Sequence, residues 1–254
     1  LVNRKKIVSF RKEIKILINM KNYLFQLFFI TILAITFTNC TETQAEKETV
    51  VQQIQDTIPI PQPKLRPPYD SSKWTRILDI DETIIEDVRY ATMNNFVEQI
   101  MYDCPACYLR PEAAAAVGEA HKMLKAKGYG GLKMFDCYRP RPIQQKLWDK
   151  VPDARYVTPP WKGSMHNRGL ATDLTIVDSL GNQLDMGTKF DYFGIEGYHT
   201  YAKHSPEILA NRTLLKATMY AVGFRHIRTE WWHYSYMKAS YPISDWLWDC
   251  EVEE

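Results

Sequence analysis

Five prolines crowded between residues 59 and 68 (Pro59, Pro61, Pro63, Pro67 and Pro68) decide how this chain can fold. Proline lacks the backbone donor that helices and sheet ladders need, and a run of it favours extended, polyproline-like chain that contributes no core. Residues 41–71 therefore read as a polar, then proline-rich tether. The tether cuts the 254-residue chain into an N-terminal head, residues 1–40, and one foldable region, residues 72–254. That leaves length for a single domain of about 180 residues.

The head reads as an address rather than a fold. From Met20 the chain runs MKNYLFQLFFITILAITFTNC: one lysine, an apolar stretch from Tyr23 to Phe37, small polar residues and then Cys40. This is the layout of a secretory signal, and the apolar stretch falls short of the roughly 20 residues of a transmembrane helix. The closing cysteine resembles that of a bacterial lipoprotein signal, in which the cysteine is lipidated and becomes the new N-terminus, although Asn39 stands where that signal usually carries Gly, Ala or Ser. The resemblance implies a membrane as partner through a lipid on Cys40, and a periplasmic, membrane-anchored protein of the cell envelope. Plain secretion and an uncleaved anchor are the alternatives. Residues 1–19 read as an upstream extension.

Charge and composition exclude several classes. With 32 Lys and Arg against 30 Asp and Glu, the net charge is +2, far from the basic excess of a nucleic-acid binder, so no nucleic acid is expected as partner. A hydrophobic share of 45 % with 24 % charged residues excludes a disordered, collagen-like or multi-span membrane chain. Within the domain, PEAAAAVGEAHKMLKAK from Pro111 to Lys127 predicts a helix, with proline at its first position and Gly128 as its stop. A second helix is predicted after Ser205, Pro206 and Glu207, through Val222 and ended by Gly223, and a short one over Pro142–Lys150. Strands are predicted at Thr83–Tyr90, Leu132–Tyr138, Ala171–Asp178 and Glu230–Tyr236. Helices and strands do not alternate regularly, which favours an α+β fold with a mainly antiparallel sheet packed against helices.

Four cysteines remain besides Cys40, an even count that permits disulfides in an oxidising compartment. Cys104 and Cys107 form a CxxC, but there is no second CxxC for a zinc ribbon and no βαβ context for redox chemistry. The pair reads as a structural disulfide, with Cys250 as a further candidate partner; free buried thiols are the other reading. Cys137, inside a predicted strand, reads as a small apolar filler.

Two segments carry chemistry: Ser164-Met165-His166-Asn167-Arg168-Gly169-Leu170-Ala171-Thr172-Asp173 and Glu230-Trp231-Trp232-His233. A catalytic zinc site needs three protein ligands, an open position for water, and a base held off the metal. His166, Asp173 and His233 supply the ligands for one zinc ion, and Glu230 is free to be the base. HxxxxxxD and ExxH are each weak signals; together, with SxHxxGxAxD complete, they are strong. Glu230 and His233 lie at i and i+3, which a regular strand would point to opposite faces, so a bulge or turn is predicted at Trp231–Trp232. His121, His199, His204 and His226 lie outside the motif and read as structural.

SxHxxGxAxD followed by ExWH resembles the zinc D-alanyl-D-alanine metallopeptidases, a group that shares its fold with the hedgehog signalling domain. The likeness extends to the vancomycin-resistance type of D-alanyl-D-alanine dipeptidase: Arg89-Tyr90-Ala91-Thr92 with Asn95-Phe96, Cys107-Tyr108-Leu109-Arg110-Pro111, Asp136-Cys137-Tyr138-Arg139-Pro140, Met186-Gly187-Thr188 and Phe190-Asp191 follow in order. It covers roughly residues 75–240. The resemblance implies a zinc dipeptidase that splits D-Ala-D-Ala in the bacterial envelope, with Glu230 as acid and base, and Arg139 stabilising the tetrahedral intermediate. It further implies that Asp191 and Tyr90 hold the substrate ammonium, and that Ser164 sits near its C-terminal carboxylate. A zinc carboxypeptidase or endopeptidase acting on peptidoglycan stem peptides is the runner-up. A non-catalytic, zinc-stabilised binding module is the third reading, disfavoured because Glu230 and Arg139 are both present.

Overall fold

Alanines let one long helix lie close against the sheet, and a glycine on it makes room for a neighbouring short helix. The structure, a computed structural model, describes residues 68–250, all within one compact unit, Lys64–Glu254. In chain order the strands are β1 Thr75–Arg76, β2 Ile85–Glu86, β3 Tyr108–Leu109, β4 Gly131–Asp136, β5 Ala171–Val177, β6 Phe224–Ile227 and β7 Glu230–Tyr236. The helices are α1 Ile77–Ile80, α2 Pro111–Lys125, α3 Arg141–Lys150 and α4 Pro206–Ala221. Strands β2, β4, β5, β7 and β6 form a five-stranded sheet in that order; only β2 and β4 run parallel. β1 and β3 form a separate antiparallel pair. The fold is α+β with a mixed, mainly antiparallel sheet.

Pro111 opens α2 at the position where a missing N–H costs nothing. Its inner face, with Ala113, Ala114, Val117, Ala120 and Leu124 all fully buried, packs in one core with Leu132 and Met134 of β4 and Leu174 and Ile176 of β5. Gly118 allows the tightest approach, since a Cβ there would lie 2.3 Å from Ile80 Cγ2. Helix α4 begins at Ser205, whose side chain accepts from Ile208 N at 3.3 Å, and adds Leu215 and Met219 to the core. Strand β5 is buried along its whole length, as a central strand covered on both faces should be.

Three expectations need correction. The run Thr83–Tyr90 is not one strand: only Ile85–Glu86 pairs, and Arg89–Ala91 winds into a 3-10 turn that sends Tyr90 inward. Cys104 does not pair with Cys107. The disulfides are Cys104–Cys250 and Cys107–Cys137, so Cys137 is a bonded partner and not a filler. Sequence spacing could not reveal this, because the antiparallel strands and the C-terminal segment decide which cysteines meet. The membrane partnership expected through a lipid on Cys40 is also withdrawn. All four cysteines of the described residues are consumed in disulfides, and no helix among those residues is long and apolar enough to cross a membrane. Cys40, the signal-like head and most of the tether lie outside the described residues. The two disulfides fit an oxidising, extracytoplasmic compartment.

From residue 240 the chain runs without helix or strand as a strap. Trp246 stacks on Trp74 at 5.0 Å, Tyr138 Oη donates to Trp246 O at 2.8 Å, and Arg141 Nε donates to Asp245 Oδ1 at 2.7 Å. Ser244 N donates to Asn167 O at 2.9 Å, and Cys250 closes the strap onto Cys104.

Candidate metal centre

The sheet brings the central side chains together. Asp136 at the end of β4, Asp173 in β5 and His233 in β7 are lateral neighbours, so their side chains leave the same face within reach of one another. His166 comes from the 3-10 turn His166–Arg168, which ends at Gly169 in the left-handed region (φ 72°). A Cβ on Gly169 would lie 2.5 Å from Trp74 Cζ3, so only glycine lets the chain turn from His166 into β5 here. The three-residue offset between Glu230 and His233 is absorbed by a slip in the β6–β7 ladder: His226 faces Tyr234, yet Ile227 faces Glu230. Trp231 and Trp232, inside the slip, are both buried.

Ligating atoms of His166, Asp173 and His233 lie within 4.8 Å of one another, and all three residues are buried. His166 Nε2 is 3.1 Å from His233 Nδ1, and Asp173 Oδ1 is 3.0 Å from His233 Nδ1 and 3.4 Å from His166 Nε2. The remaining imidazole nitrogens are held from behind. His166 Nδ1 donates to the Cys137 carbonyl at 2.6 Å, which leaves Nε2 with its lone pair turned inward; His233 Nε2 pairs with Ser235 Oγ at 3.1 Å. Inward-facing nitrogens beside a carboxylate repel unless a proton or cation sits between them. Two imidazoles and one carboxylate, each oriented by an outer partner, are the donor set of a catalytic zinc site, and the residues fit the ion. This is the single such cluster among the described residues.

A cavity of about 360 Å³ opens beside the cluster, lined by Tyr90, Arg139, Ser164, His166, Asp191, Glu230 and His233. Residues far apart in the chain, singled out above, thus share one hollow, with Asp173 beneath it. The sequence profile of the Peptidase_M15 family, described as D-ala-D-ala dipeptidase, matches residues 72–247. The chain belongs to the Peptidase_M15 family.

A D-alanyl-D-alanine dipeptidase of Escherichia coli (strain K12) is 36 % identical over 158 residues, covering 62 % of this chain and 81 % of that protein. One of Enterococcus faecalis (strain ATCC 700802 / V583) is 29 % identical over 177 residues, covering 61 % and 87 %. Among solved structures, VanYB in complex with D-Alanine-D-Alanine is 18 % identical, covering 51 % of this chain and 72 % of that one, with a TM-score of 0.34, too slight a likeness to carry weight.

The electrostatics of this Peptidase_M15 site sort its acids. Burial alone would raise Asp173, but His166 and His233 beside it hold its carboxyl well below the ordinary range, in the form that ligates a metal. Glu230, whose Oε2 lies 3.9 Å from His233 Nδ1, is pushed up by burial, which outweighs the pull of His233. Asp191 is pushed well up, first by burial and then by Asp173; Tyr90 Oη donates to its Oδ2 at 2.9 Å. Asp191 also holds a positive φ of 58°, uncommon outside glycine, which turns its carboxyl into the cavity wall. Arg139 stays charged because Asp136 and other acids offset its burial.

Sequence spacing missed the groups that brace these side chains. Arg139 Nε and Nη2 donate to Asp136 Oδ2 at 2.9 and 2.6 Å, and Nη1 donates to Gln144 Oε1 at 3.0 Å. Tyr102 Oη donates to the other Asp136 oxygen at 2.8 Å. Buried Asn167 donates from Nδ2 to Arg139 O at 2.7 Å and accepts at Oδ1 from Ser164 N at 2.7 Å. Only Asp136 carried a signal, through its place in DCYRP; Tyr102, Gln144 and Asn167 had none.

Proposed function

We propose that this zinc metallopeptidase hydrolyses D-Ala-D-Ala to two molecules of D-alanine, with residues 72–254 as its dipeptidase domain and the periplasm as its place of action. The observation that carries the reading is the shared cavity, whose wall holds the metal-ligand histidines together with the carboxyls of Glu230 and Asp191. Zinc, when bound by His166, Asp173 and His233, supplies Lewis-acid polarisation of the scissile carbonyl and acidifies the attacking water.

Glu230 accepts a proton from the attacking water and returns it to the leaving amine nitrogen, as a shared acid and base whose carboxyl burial raises. Arg139, fixed by Asp136 and Gln144, presents a permanent charge to the oxyanion as it develops. Asp191 takes the substrate ammonium, with the Tyr90 hydroxyl as a second oxygen at the same place. Ser164, in the cavity wall and tied to Asn167, sits with the substrate carboxylate. An ammonium that neutralises Asp191 removes an unfavourable carboxyl from the free enzyme. A peptide that continues past this point leaves Asp191 unpaired, and this favours a dipeptidase over the carboxypeptidase and endopeptidase readings.

Zinc-loaded protein incubated with D-Ala-D-Ala, an L,L dipeptide and a stem pentapeptide, with free alanine measured, tests the proposal. Release from D-Ala-D-Ala is expected; release from the pentapeptide alone would overturn it.

A further inference from the structure

A second cavity of about 460 Å³ lies against the first and shares two wall residues with it, Phe96 and Asp191. Phe96 is wedged between rings of separate segments: its centroid is 6.3 Å from that of Tyr90, edge-on, and 5.1 Å from that of Phe193, again edge-on. Phe193 in turn meets Tyr156 at 4.7 Å, so rings from three loops meet in the wall of the catalytic cavity that also holds Asp191. Tyr90 is the residue whose hydroxyl reaches Asp191, so Phe96 stands where a peptide chain would pass if it continued beyond an ammonium held there. The second cavity, which Phe96 also lines, offers Asn94, Gln183 and Lys189, donors suited to the carbonyl oxygens of a peptide, beside Arg89, whose Nη2 is held by Asp87 at 2.7 Å.

We propose that Phe96 is the steric stop that confines this enzyme to substrates ending at their ammonium, and that the cavity behind it is a subsite for the N-terminal residues of a longer peptide, closed off by that ring. The proposal rests on the dipeptidase reading given above. Asp191 supplies the electrostatic half of the selection and Phe96 the steric half. The chemistry is unchanged in a longer peptide: water adds across the last amide bond, its hydroxyl to the carbonyl carbon and its proton to the nitrogen of the departing D-alanine.

The test compares kcat/KM for Gly-D-Ala-D-Ala with that for D-Ala-D-Ala in zinc-loaded wild type, Phe96→Ala and Phe96→Ala/Asp191→Asn. The tripeptide-to-dipeptide ratio is expected to rise at least tenfold in Phe96→Ala and further in the double variant, with tighter tripeptide binding by calorimetry. Phe96→Leu keeps an apolar contact with Tyr90 and Phe193 while removing the ring, so it guards against a fold defect and should give an intermediate ratio. A ratio unmoved in Phe96→Ala and Phe96→Leu, each folded and holding zinc, overturns the proposal whatever the double variant does, since Asp191→Asn changes the dipeptide rate by itself. Wild-type protein that cleaves neither peptide overturns the dipeptidase reading instead.

Discussion

Replacing Asp191 by asparagine should cripple the enzyme while stabilising the free protein. Asparagine has the same shape, keeps an acceptor for the Tyr90 hydroxyl, and tolerates the φ of 58° better than most residues. What it removes is a carboxyl that burial and neighbouring Asp173 disfavour. Truncating one partner of a buried charge pair costs about 2–5 kcal/mol, and Asp191 is only partly enclosed, so the lower end applies. About 2–3 kcal/mol corresponds to a roughly 30- to 150-fold loss of kcat/KM for D-Ala-D-Ala, at about 1.4 kcal/mol per tenfold. Stability should move the other way, with a definite dependence on pH. A carboxyl raised above its unfolded value of 3.8 lends stability below that pH and loses it as pH climbs through its folded value. Metal-free wild type and variant should therefore unfold alike in acid, and the variant should pull ahead as pH rises. Steady-state kinetics on zinc-loaded protein and urea unfolding with chelator present, from pH 3.5 to 8, measure both. A kcat/KM within threefold of wild type would move the ammonium anchor elsewhere, and a variant less stable at pH 7 would show that the Asp191 carboxyl is well compensated.

Glu230→Ala should retain stoichiometric zinc by elemental analysis yet lose about 10²- to 10⁴-fold in kcat, the usual share of a general acid–base group; near-normal turnover would place the base elsewhere. His166→Ala or His233→Ala should release the metal and lower the unfolding midpoint of the zinc-loaded protein, and zinc retained at one per chain after either change would contradict the ligand set. Acid should weaken the fold through one buried and one half-buried neutral histidine. His121 Nδ1 accepts from Leu132 N at 3.1 Å, a bond lost on protonation, and burial lowers both His121 and His199, the latter to about 3. Their contribution is full above the unfolded value of 6.5 and is lost as pH falls through their lowered folded values, about 3 for His199, so urea stability should decline below pH 6.5, and less steeply in His121→Gln.

Local rules made the regular elements legible. Pro111 and Pro206 mark helix starts, Gly128 and Gly223 adopt the positive φ that ends helices, and Ala171–Val177 is a fully buried strand. The ligands were legible because zinc chemistry admits few donor types and the motif carries them in order. What depends on long-range pairing was not. Cys107 and Cys137 meet only after β3 and β4 are in place, and Tyr102 reaches Asp136 across 34 positions. The strap beyond residue 240 has no periodicity, because Trp246 is ordered by stacking on Trp74 and Tyr138 and not by any backbone ladder. The edge run at Thr83–Tyr90 has strand-like composition throughout, but Tyr90 is needed beside Asp191, and the chain leaves the ladder to deliver it.

The lateral row formed by Asp136, Asp173 and His233 spans three strands whose contributions come from the middle and the far end of the polypeptide. A chain cut short before β7 holds His166 and Asp173 but cannot assemble the cluster, so affinity for the ion is a property of the finished sheet. The three-ligand cluster is thus complete only in a chain whose last strand has docked beside β5.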